Sequence, residues 1–298
     1  MLNLATSSLA PVLGQRVPLR GPARLLYRSY AKTSGRPGGS ERRLTAKFGD
    51  QFDVDLSSFL EWQLWAFGSY EEHVAEVFEY LIGPADRCID VGANIGIHTI
   101  RLARLVGPRG SVIALEPDPE LARRNSDNLL LNRLENVRLI QAAASERSGG
   151  SAVLFRPGAH DLNKARASLL PHAYLTGSAV TVPTLRLDDV SDGPVALIKI
   201  DVEGHEAAVV AGAVRTIEAY SPAIIFEYDP ELLNDRSDSP FCRLRDSGYR
   251  LFSFGKARHS VTGRGSLELR SLTALPDDFA DILAVSGAAA GRVSSLAR

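Results

Sequence analysis

The sequence predicts a doubly wound α/β fold, in which a mostly parallel sheet carries helices on both of its faces. Three observations predict it. From about residue 48, short apolar segments of strand length alternate with segments whose apolar residues recur at helical spacing. A glycine-containing turn at 92–96 follows the first predicted strand and precedes a helix. The segment 195–201 is apolar almost throughout, as is typical of a strand buried on both faces of a parallel sheet.

The apolar pattern fixes the order of the elements. Seven strands are predicted in the sheet, at 88–91, 111–117, 137–144, 195–201, 223–228, 249–254 and 281–286. Helices are predicted between them over 97–106, 119–132, 207–217 and 240–248. Gly107 ends the first helix, while Asp118 and Pro119 are a typical N-cap and first helical residue of the second. This order is that of a Rossmann-like domain with a seven-stranded, mostly parallel sheet.

Composition places the chain among ordinary globular proteins. It has 298 residues, 45% of them hydrophobic, and a net charge of −1, so a general electrostatic attraction to nucleic acid is not expected. The two cysteines, Cys88 and Cys242, are too few for a disulfide framework and suit a reducing compartment. No apolar run is long enough for a transmembrane helix. We therefore expect a cytoplasmic protein that neither spans a membrane nor binds nucleic acid.

Three regions are expected along the chain: a basic, disordered tail over 1–45, a catalytic domain over 46–286 and a flexible tail over 287–298. Residues 1–40 contain no Asp or Glu but are rich in Arg. Such a segment is also typical of a transit peptide, so an organellar location is the alternative.

The segment 145–190 interrupts the alternation of strands and helices. It contains several turn residues, and Val180 and Val182 predict a strand within it. Long excursions at the carboxyl edge of such a sheet often hold substrate contacts, which would make His160 and His172 candidates to meet the substrate. A purely structural hairpin is the alternative.

The turn after the first strand predicts a nucleotide site. Asp90 stands near the end of the strand, Gly92 permits the tight turn, and Gly96 lets the backbone approach a ligand and the packed helix. Ligands of doubly wound sheets bind beyond the carboxyl ends of the strands. Glu116 ends the second strand, where its carboxylate can accept hydrogen bonds from both ribose hydroxyls. The pattern therefore indicates a cofactor that contains adenosine.

The residues of the turn favour S-adenosylmethionine over NAD. Asn94 stands where a dinucleotide site has its second glycine. The Asp90 carboxylate would repel a pyrophosphate but suits the ammonium group of a methionyl moiety. An NAD-dependent oxidoreductase is the alternative.

Three segments carry a more specific pattern: IDVGANIG at 89–96, ALEPDP at 114–119 and LIKIDVEGHE at 197–206. In this order they resemble the FkbM family of methyltransferases, and the resemblance extends over about residues 48–286. It implies a seven-stranded class I methyltransferase fold and S-adenosylmethionine as the methyl donor. It also implies O-methylation of a sugar, a polyketide or another small molecule.

The resemblance implies roles for single residues. Five positions of the first two motifs would hold the cofactor: Asp90, Gly92, Asn94, Gly96 and Glu116. Tyr70 and Glu71 would close over it, and Ala143 and Ser145 would lie near the adenine.

The end of the fourth predicted strand suits methyl transfer to a hydroxyl group, which must be aligned and must lose its proton. In one scheme Asp201 or His205 is the general base and Lys199 supports its geometry. In the other, Asp201 and Glu227 hold Mg²⁺, which lowers the pKa of the hydroxyl. A structural Lys199–Asp201 ion pair and a helix-capping role for His205 are the alternatives.

These features together predict an S-adenosylmethionine-dependent methyltransferase that acts on a hydroxyl group of a sugar or other small molecule. A non-catalytic methyltransferase-like subunit is a further hypothesis. Such a subunit would keep the glycine turn but lose the acids at 201 and 227, which this chain retains.

Overall fold

The computed structural model describes residues 41–158, 161, 166–172, 175–232, 239–258 and 265–294. Its strands are β1 (Glu41–Thr45), β2 (Gln51–Asp55), β3 (Arg87–Val91), β4 (Ser111–Leu115), β5 (Val137–Ile140), β6 (Ala143–Ala144), β7 (Ser151–Phe155), β8 (Ala179–Leu185), β9 (Leu197–Ile200), β10 (Ala223–Tyr228), β11 (Arg250–Arg258), β12 (Gly265–Leu272) and β13 (Ala280–Val285). Its helices are α1 (Phe59–Phe67), α2 (Glu72–Leu81), α3 (Ile97–Val106), α4 (Pro119–Leu131), α5 (Glu206–Ala211), α6 (Val214–Tyr220), α7 (Pro240–Asp246) and α8 (Gly287–Ser294).

The main sheet confirms the predicted doubly wound fold. Its strand order is β12-β11-β13-β10-β9-β3-β4-β5. The five strands from β10 to β5 run parallel, and β13 enters antiparallel between β10 and β11. The chain proceeds from β3 outward to β5 and then returns to β9 on the other side of β3. The direction of winding therefore reverses at β3, which is where ligands bind in open sheets of this kind.

The sheet has eight strands among the described residues, where the sequence predicted seven. All seven predicted segments contribute a strand, and β12 is the addition. It pairs antiparallel with β11 over its whole length, from Leu251 opposite Leu272 to Arg258 opposite Gly265. Leu267 and Leu269 of β12 show the alternation of apolar residues that is typical of a strand. The sequence did not predict β12 because an edge strand is specified by its pairing partner as much as by its own pattern.

Alternate residues of the central strands pack into two different apolar clusters, one on each face of the sheet. Ile89 and Val91 of β3 face the cluster that holds α5, α6 and α7, whereas Cys88 faces the cluster that holds α2, α3 and α8. Both faces are thus covered, which explains why β9 is apolar almost throughout.

The segment 145–190 contributes a second, small sheet of order β6-β8-β7. The third predicted strand, 137–144, is consequently divided: β5 stays in the main sheet, while β6 pairs with β8. The antiparallel pair β7–β8 fits the structural-hairpin alternative. Residues of the loop between these strands nonetheless line the cavity described below, and their contact with a substrate stays a prediction.

Ordered elements extend beyond the domain limits expected at 46 and 286. At the amino-terminal side β1 pairs with β2, from Glu41 opposite Asp55 onward. At the carboxyl-terminal side α8 buries Ala290 and Val293 in the cluster that also holds α2, because its small apolar residues share one face. Residues 1–40 lie outside the described part of the chain. Among the described residues, no helix combines the length and the apolar character needed to cross a bilayer.

Candidate active site

A cavity of about 660 Å³ opens at the carboxyl edge of the main sheet, where β3, β4, β9 and β10 end. Its size is that of a typical small-molecule site. Nine of the predicted site residues line it: Tyr70, Glu71, Gly92, Asn94, Glu116, Ala143, Asp201, His205 and Glu227. Four others, Asp90, Gly96, Ser145 and Lys199, do not line it.

The two glycines of the β3–α3 turn are required by contacts within the protein. Gly92 has φ +78°, and a Cβ there would lie 1.8 Å from the backbone oxygen of Asp201. Gly96 has φ +95°, and its Cβ would lie 2.8 Å from Oδ1 of Asn125 on α4. The turn is therefore pressed against the end of β9 on one side and against α4 on the other, as only glycine allows.

Glu116 is held as a fixed acceptor at the cavity wall. The backbone N–H of Asn94 donates to its Oε2 at 2.7 Å, and that of Asp118 donates to its Oε1 at 2.9 Å. The side chain is only 5% exposed. Burial raises the pKa of Glu116 to about 7, although the two N–H donors act in the opposite direction.

The wall beside Glu116 fits an adenosine. Leu121, Ala142, Ala143 and Leu154 line the same cavity and give it apolar surface. A flat base suits such a surface, and a ribose diol suits the carboxylate. The residues present therefore fit the nucleoside part of S-adenosylmethionine. Ala143 lines the cavity, and its contact with an adenine stays a prediction, whereas Ser145 does not line it and has its Oγ 3.2 Å from Nε2 of His205.

Asp90 lies beneath the glycine turn and is fully buried. Its Oδ2 accepts a hydrogen bond from Oγ1 of Thr99 at 2.5 Å, and its Oδ1 has no hydrogen-bond partner among the described residues. It is the register neighbour of Lys199 on β9. The structure thus places Asp90 as a support of the turn, and its contact with a methionyl ammonium stays a prediction.

Tyr70 and Glu71 form the wall opposite the strand ends. Oε2 of Glu71 lies 2.9 Å from Nε2 of His98, and the Tyr70 hydroxyl also hydrogen-bonds to this carboxylate. Burial alone would raise the pKa of Glu71, but His98 and Lys199 lower it below its ordinary value. Burial, then the Glu71 and Asp201 carboxylates, raise the pKa of Tyr70 well above its ordinary value, so its hydroxyl keeps its proton.

Three carboxylates stand side by side on adjacent strands. Ile225 is opposite Lys199 in register, so Glu227 is level with Asp201, and Glu227 is opposite Asp281 on β13. The outer two carboxylates each have a basic partner: Nζ of Lys199 donates to Oδ2 of Asp201 at 3.0 Å, and Nε2 of His73 lies 2.6 Å from Oδ2 of Asp281. Glu227, in the middle, has no such partner among the described residues.

Charge and burial act together on this row. Burial alone would lower the pKa of Lys199, but Asp201, Asp90 and Glu71 outweigh it and raise this pKa above its ordinary value. Lys199 therefore stays charged although it is only 4% exposed. Burial, followed by the negative charge of Asp201, raises the pKa of Glu227 far above its ordinary value, so the free protein holds a proton there at neutral pH.

His205 also lines the cavity, next to α5. Burial lowers its pKa, so the ring is neutral near pH 7. It stands at the N-cap position of α5 without a side-chain capping hydrogen bond, so the capping alternative is not supported. Its ring nitrogen instead meets Ser145.

The predicted Mg²⁺ site finds no support. Among the described residues, no group of three or more His, Cys, Asp or Glu side chains is arranged to hold a metal ion. Asp201 and Glu227 are neighbours as predicted, but Lys199 already neutralises one of them. A hard cation needs more oxygen ligands than this pair supplies.

Several residues that shape the site escaped the sequence interpretation. Asn125 and Asn128 of α4 donate from Nδ2 to the backbone oxygens of Asn94 and Ile95, at 3.0 and 2.9 Å, and so fix the glycine turn. Both are buried in an otherwise ordinary amphipathic helix, and their spacing of three residues was the only available signal.

The segment 145–190 contributes a further cavity residue, Arg166, that the sequence analysis did not predict. Arg166 pairs with Glu203 at 3.1 Å, and both line the cavity. His172 does not line it, and His160 lies outside the described residues.

A comparison with known families adds an independent observation. The family model described as the methyltransferase FkbM domain matches residues 90–251, more than half of the chain. The chain belongs to the FkbM methyltransferase family. The match includes the glycine turn, Glu116 and the Asp201 and Glu227 strand ends, so the suspected resemblance is confirmed. It leaves the NAD-dependent oxidoreductase hypothesis without support.

Curated relatives of this FkbM-family chain match it over part of their length. Hexuronic acid methyltransferase AglP of Haloferax volcanii is 26% identical over 147 residues, which cover 46% of this chain and 53% of that protein. A protein-L-isoaspartate O-methyltransferase of Ignicoccus hospitalis is 28% identical over 136 residues, which cover 45% of this chain and 56% of that protein. The chain thus spans about half the length of the curated relatives it matches.

Solved structures also resemble the FkbM-family chain. A methyltransferase FkbM from Methylobacillus flagellatus KT has 15% identity and a TM-score of 0.40, over 70% of this chain and 50% of that one. A precorrin-6y C5,15-methyltransferase from Geobacter metallireducens GS-15 has 15% identity and a TM-score of 0.43, over 73% of this chain and 90% of that one. At TM-scores this low, the family assignment depends on the sequence match.

Proposed function

We propose that the chain is an S-adenosylmethionine-dependent methyltransferase that methylates a hydroxyl group of a sugar or another small molecule. One observation carries this proposal: Glu116, held by two backbone N–H groups, lines the same cavity as Asp201 and Glu227, together with several apolar side chains. Membership of the FkbM family supports the methyl donor, and the name of the hexuronic acid methyltransferase relative supports a sugar as the acceptor.

The cofactor, when bound, supplies an electrophilic methyl group, and the chain has to position a hydroxyl oxygen in line with it. Glu116 would bind the ribose, and the turn at Gly92 and Asn94 would bind the methionyl part. Since the turn touches the backbone of Asp201, the donor side and the acceptor side of the cavity are adjacent. This arrangement supports direct transfer between two molecules held in one cavity.

Asp201 is the proposed general base. Its carboxylate lines the cavity and accepts a hydrogen bond from Nζ of Lys199, which orients it, so it can accept a hydrogen bond from the acceptor hydroxyl and then its proton. Glu227 is less suitable in the free protein because it is protonated at neutral pH. His205 is the second candidate, since its ring is neutral and lines the same cavity.

The test is donor binding followed by transfer with the full chain. Calorimetry should detect the binding of S-adenosylhomocysteine. When a panel of glycosides is offered with the isotopically labelled donor, mass spectrometry should detect a product that is heavier by one CH₂ group. If S-adenosylhomocysteine does not bind, the assignment of S-adenosylmethionine as the methyl donor is wrong. If it binds but Asp201→Asn has the same transfer rate as the wild type, Asp201 is not the base. If donor binds but cell extract yields no methylated product, the non-catalytic hypothesis is favoured. The cytoplasmic location, the organellar alternative and the absence of a nucleic-acid partner stay predictions.

A further inference from the structure

The charged side chains that line the cavity are strongly unbalanced. Among the described residues they include one guanidinium, Arg166, and seven carboxylates: Glu71, Glu116, Asp161, Asp201, Glu203, Glu227 and Asp229. Even with Glu227 protonated in the free protein, carboxylates outnumber the guanidinium in this lining, so the cavity suits a cation better than an anion.

Partners within the protein account for four of these carboxylates. Glu71 meets His98, Asp201 meets Lys199, Glu203 meets Arg166, and Glu116 accepts from two backbone N–H groups. Asp229 accepts only from the backbone N–H of Glu231 in its own turn. Glu227 has no hydrogen bond or ion pair among the described residues, although it lines the cavity and its neighbours Asp201 and Asp281 are both paired.

The position of Glu227 in the sheet indicates that its side chain contacts the methyl acceptor and not the donor. Two strand intervals separate β10 from β3, which carries the glycine turn, because β9 lies between them. At about 4.8 Å for each interval, the axes of β10 and β3 are roughly 10 Å apart, and Asp201 stands between Glu227 and the turn. An ammonium group of the donor held at the turn would meet Asp201 before Glu227, so the acceptor is the molecule assigned to Glu227.

The rim of the cavity near Glu227 adds an apolar contact. Phe279 immediately precedes Ala280, the register partner of Tyr228, and lines the cavity with 54% of its surface exposed. Phe59 lines it from α1 and stacks on Trp62 at 6.4 Å between ring centroids. Aromatic faces beside carboxylates suit a ring that presents C–H groups on its face and polar groups at its edge.

We propose that the methyl acceptor is a polyhydroxylated amine, such as an amino sugar, and that its ammonium group binds against Glu227. This inference rests on the proposed function and names the acceptor class of the same site. It excludes an acidic sugar as the preferred acceptor, in contrast to the name of the Haloferax relative. Arg166, the one cationic side chain that lines the cavity among the described residues, is already held by Glu203 at 3.1 to 3.2 Å.

Binding of an ammonium group should change the protonation of Glu227. In the free protein its proton is retained because it is buried and faces Asp201 from β9, Asp281 from β13 and Glu71 from the start of α2, with Glu203 nearby. The basic side chains of this region, Lys199, His73, His98 and Arg166, already contact those other carboxylates. An ammonium group against Glu227 favours its ionised form, so the proton should be released to solvent.

The experiment is calorimetry of the full chain saturated with S-adenosylhomocysteine, in buffers of different ionisation enthalpy near neutral pH. The probes are the methyl glycosides of glucosamine, glucose and glucuronic acid. For the wild type we expect the glucosamine glycoside to bind at least tenfold more tightly than the glucose glycoside, with release of up to one proton, and the glucuronic acid glycoside to bind most weakly.

Glu227→Gln should abolish both the preference and the proton release. The control Glu218→Gln, on the exposed end of α6, should change neither. The inference is overturned if the neutral or acidic glycoside binds as tightly as the amino glycoside, if none of the three binds, or if Glu227→Gln keeps the preference. Failure of S-adenosylhomocysteine to bind the wild type would instead contradict the proposed function. A preserved donor affinity in Glu227→Gln shows that this variant is folded.

Discussion

Glu116→Ala tests the donor site most directly. The substitution removes the carboxylate that would accept hydrogen bonds from the two ribose hydroxyls. Hydrogen bonds to a charged group are worth about 1.5–3 kcal/mol, so the affinity for S-adenosylhomocysteine should fall roughly 10–100-fold. The exposed Glu135→Ala is the matched control and should bind as the wild type does.

The pH dependence of the same interaction gives a second, sharper expectation. The ribose hydroxyls donate to the ionised carboxylate, and the pKa of Glu116 is raised to about 7 by burial. The ionised fraction therefore grows as the pH rises through this value. Donor affinity should increase with pH across neutrality and should decrease by up to about tenfold for each pH unit on the acidic side. In Glu116→Ala this dependence should disappear.

Adenosine is the better ligand for the pH series because it lacks the amino-acid part, which titrates on its own. The assay is calorimetry with both ligands, and circular dichroism should confirm that the variant is folded, since the N–H groups of Asn94 and Asp118 lose their acceptor. An unchanged affinity in a folded Glu116→Ala protein would remove this residue from the site. An identical pH profile in the two proteins would refute the assigned role of its ionisation.

Three further variants test the rest of the site. Asp201→Asn should slow methyl transfer by about 10²–10⁴-fold with little change in donor affinity, measured by single-turnover mass spectrometry, and a slowing below tenfold would exclude it as the base. Gly92→Ala should lower both the melting temperature and donor affinity, because its Cβ would lie 1.8 Å from the Asp201 oxygen; a wild-type melting curve would contradict this. Lys199→Met should lower the free energy of unfolding by about 3–5 kcal/mol in urea, because it leaves Asp201 and Asp90 without their cation. This loss of stability should be smaller when Asp201→Asn is combined with it.

The sequence predicted a site residue best where the pattern that identifies it lies within a single strand or turn. The glycine turn, Glu116 and the ends of β9 and β10 could be predicted because each follows a short apolar run, and the carboxyl ends of parallel strands meet at one edge. Gly92 and Gly96 were predicted at the right place, but the contacts that require them, Asp201 and Asn125, come from other elements.

What the sequence could not provide is the register between strands and the depth of a side chain. Asp90 and Glu116 both lie at or near the end of a strand, yet one is buried beneath the turn and the other faces the cavity. The row of Asp201, Glu227 and Asp281 depends on two pairings that join residues far apart in the chain. Period-two patterns specify which residues share a face of one strand, but they do not align neighbouring strands.

The asparagines of α4 have a practical consequence for anyone who wishes to express the catalytic unit alone. Asn128 holds the glycine turn with its amide nitrogen and accepts from the backbone N–H of Asp53 at 2.9 Å with its oxygen. One turn further on, Asn132 exchanges two hydrogen bonds with Gln51. The family match begins at residue 90 and ends at 251, so a fragment cut at those limits would lose β2 and also β13, which lies in the middle of the sheet. The smallest fragment that can fold and bind the donor must therefore start ahead of Gln51 and run past Val285.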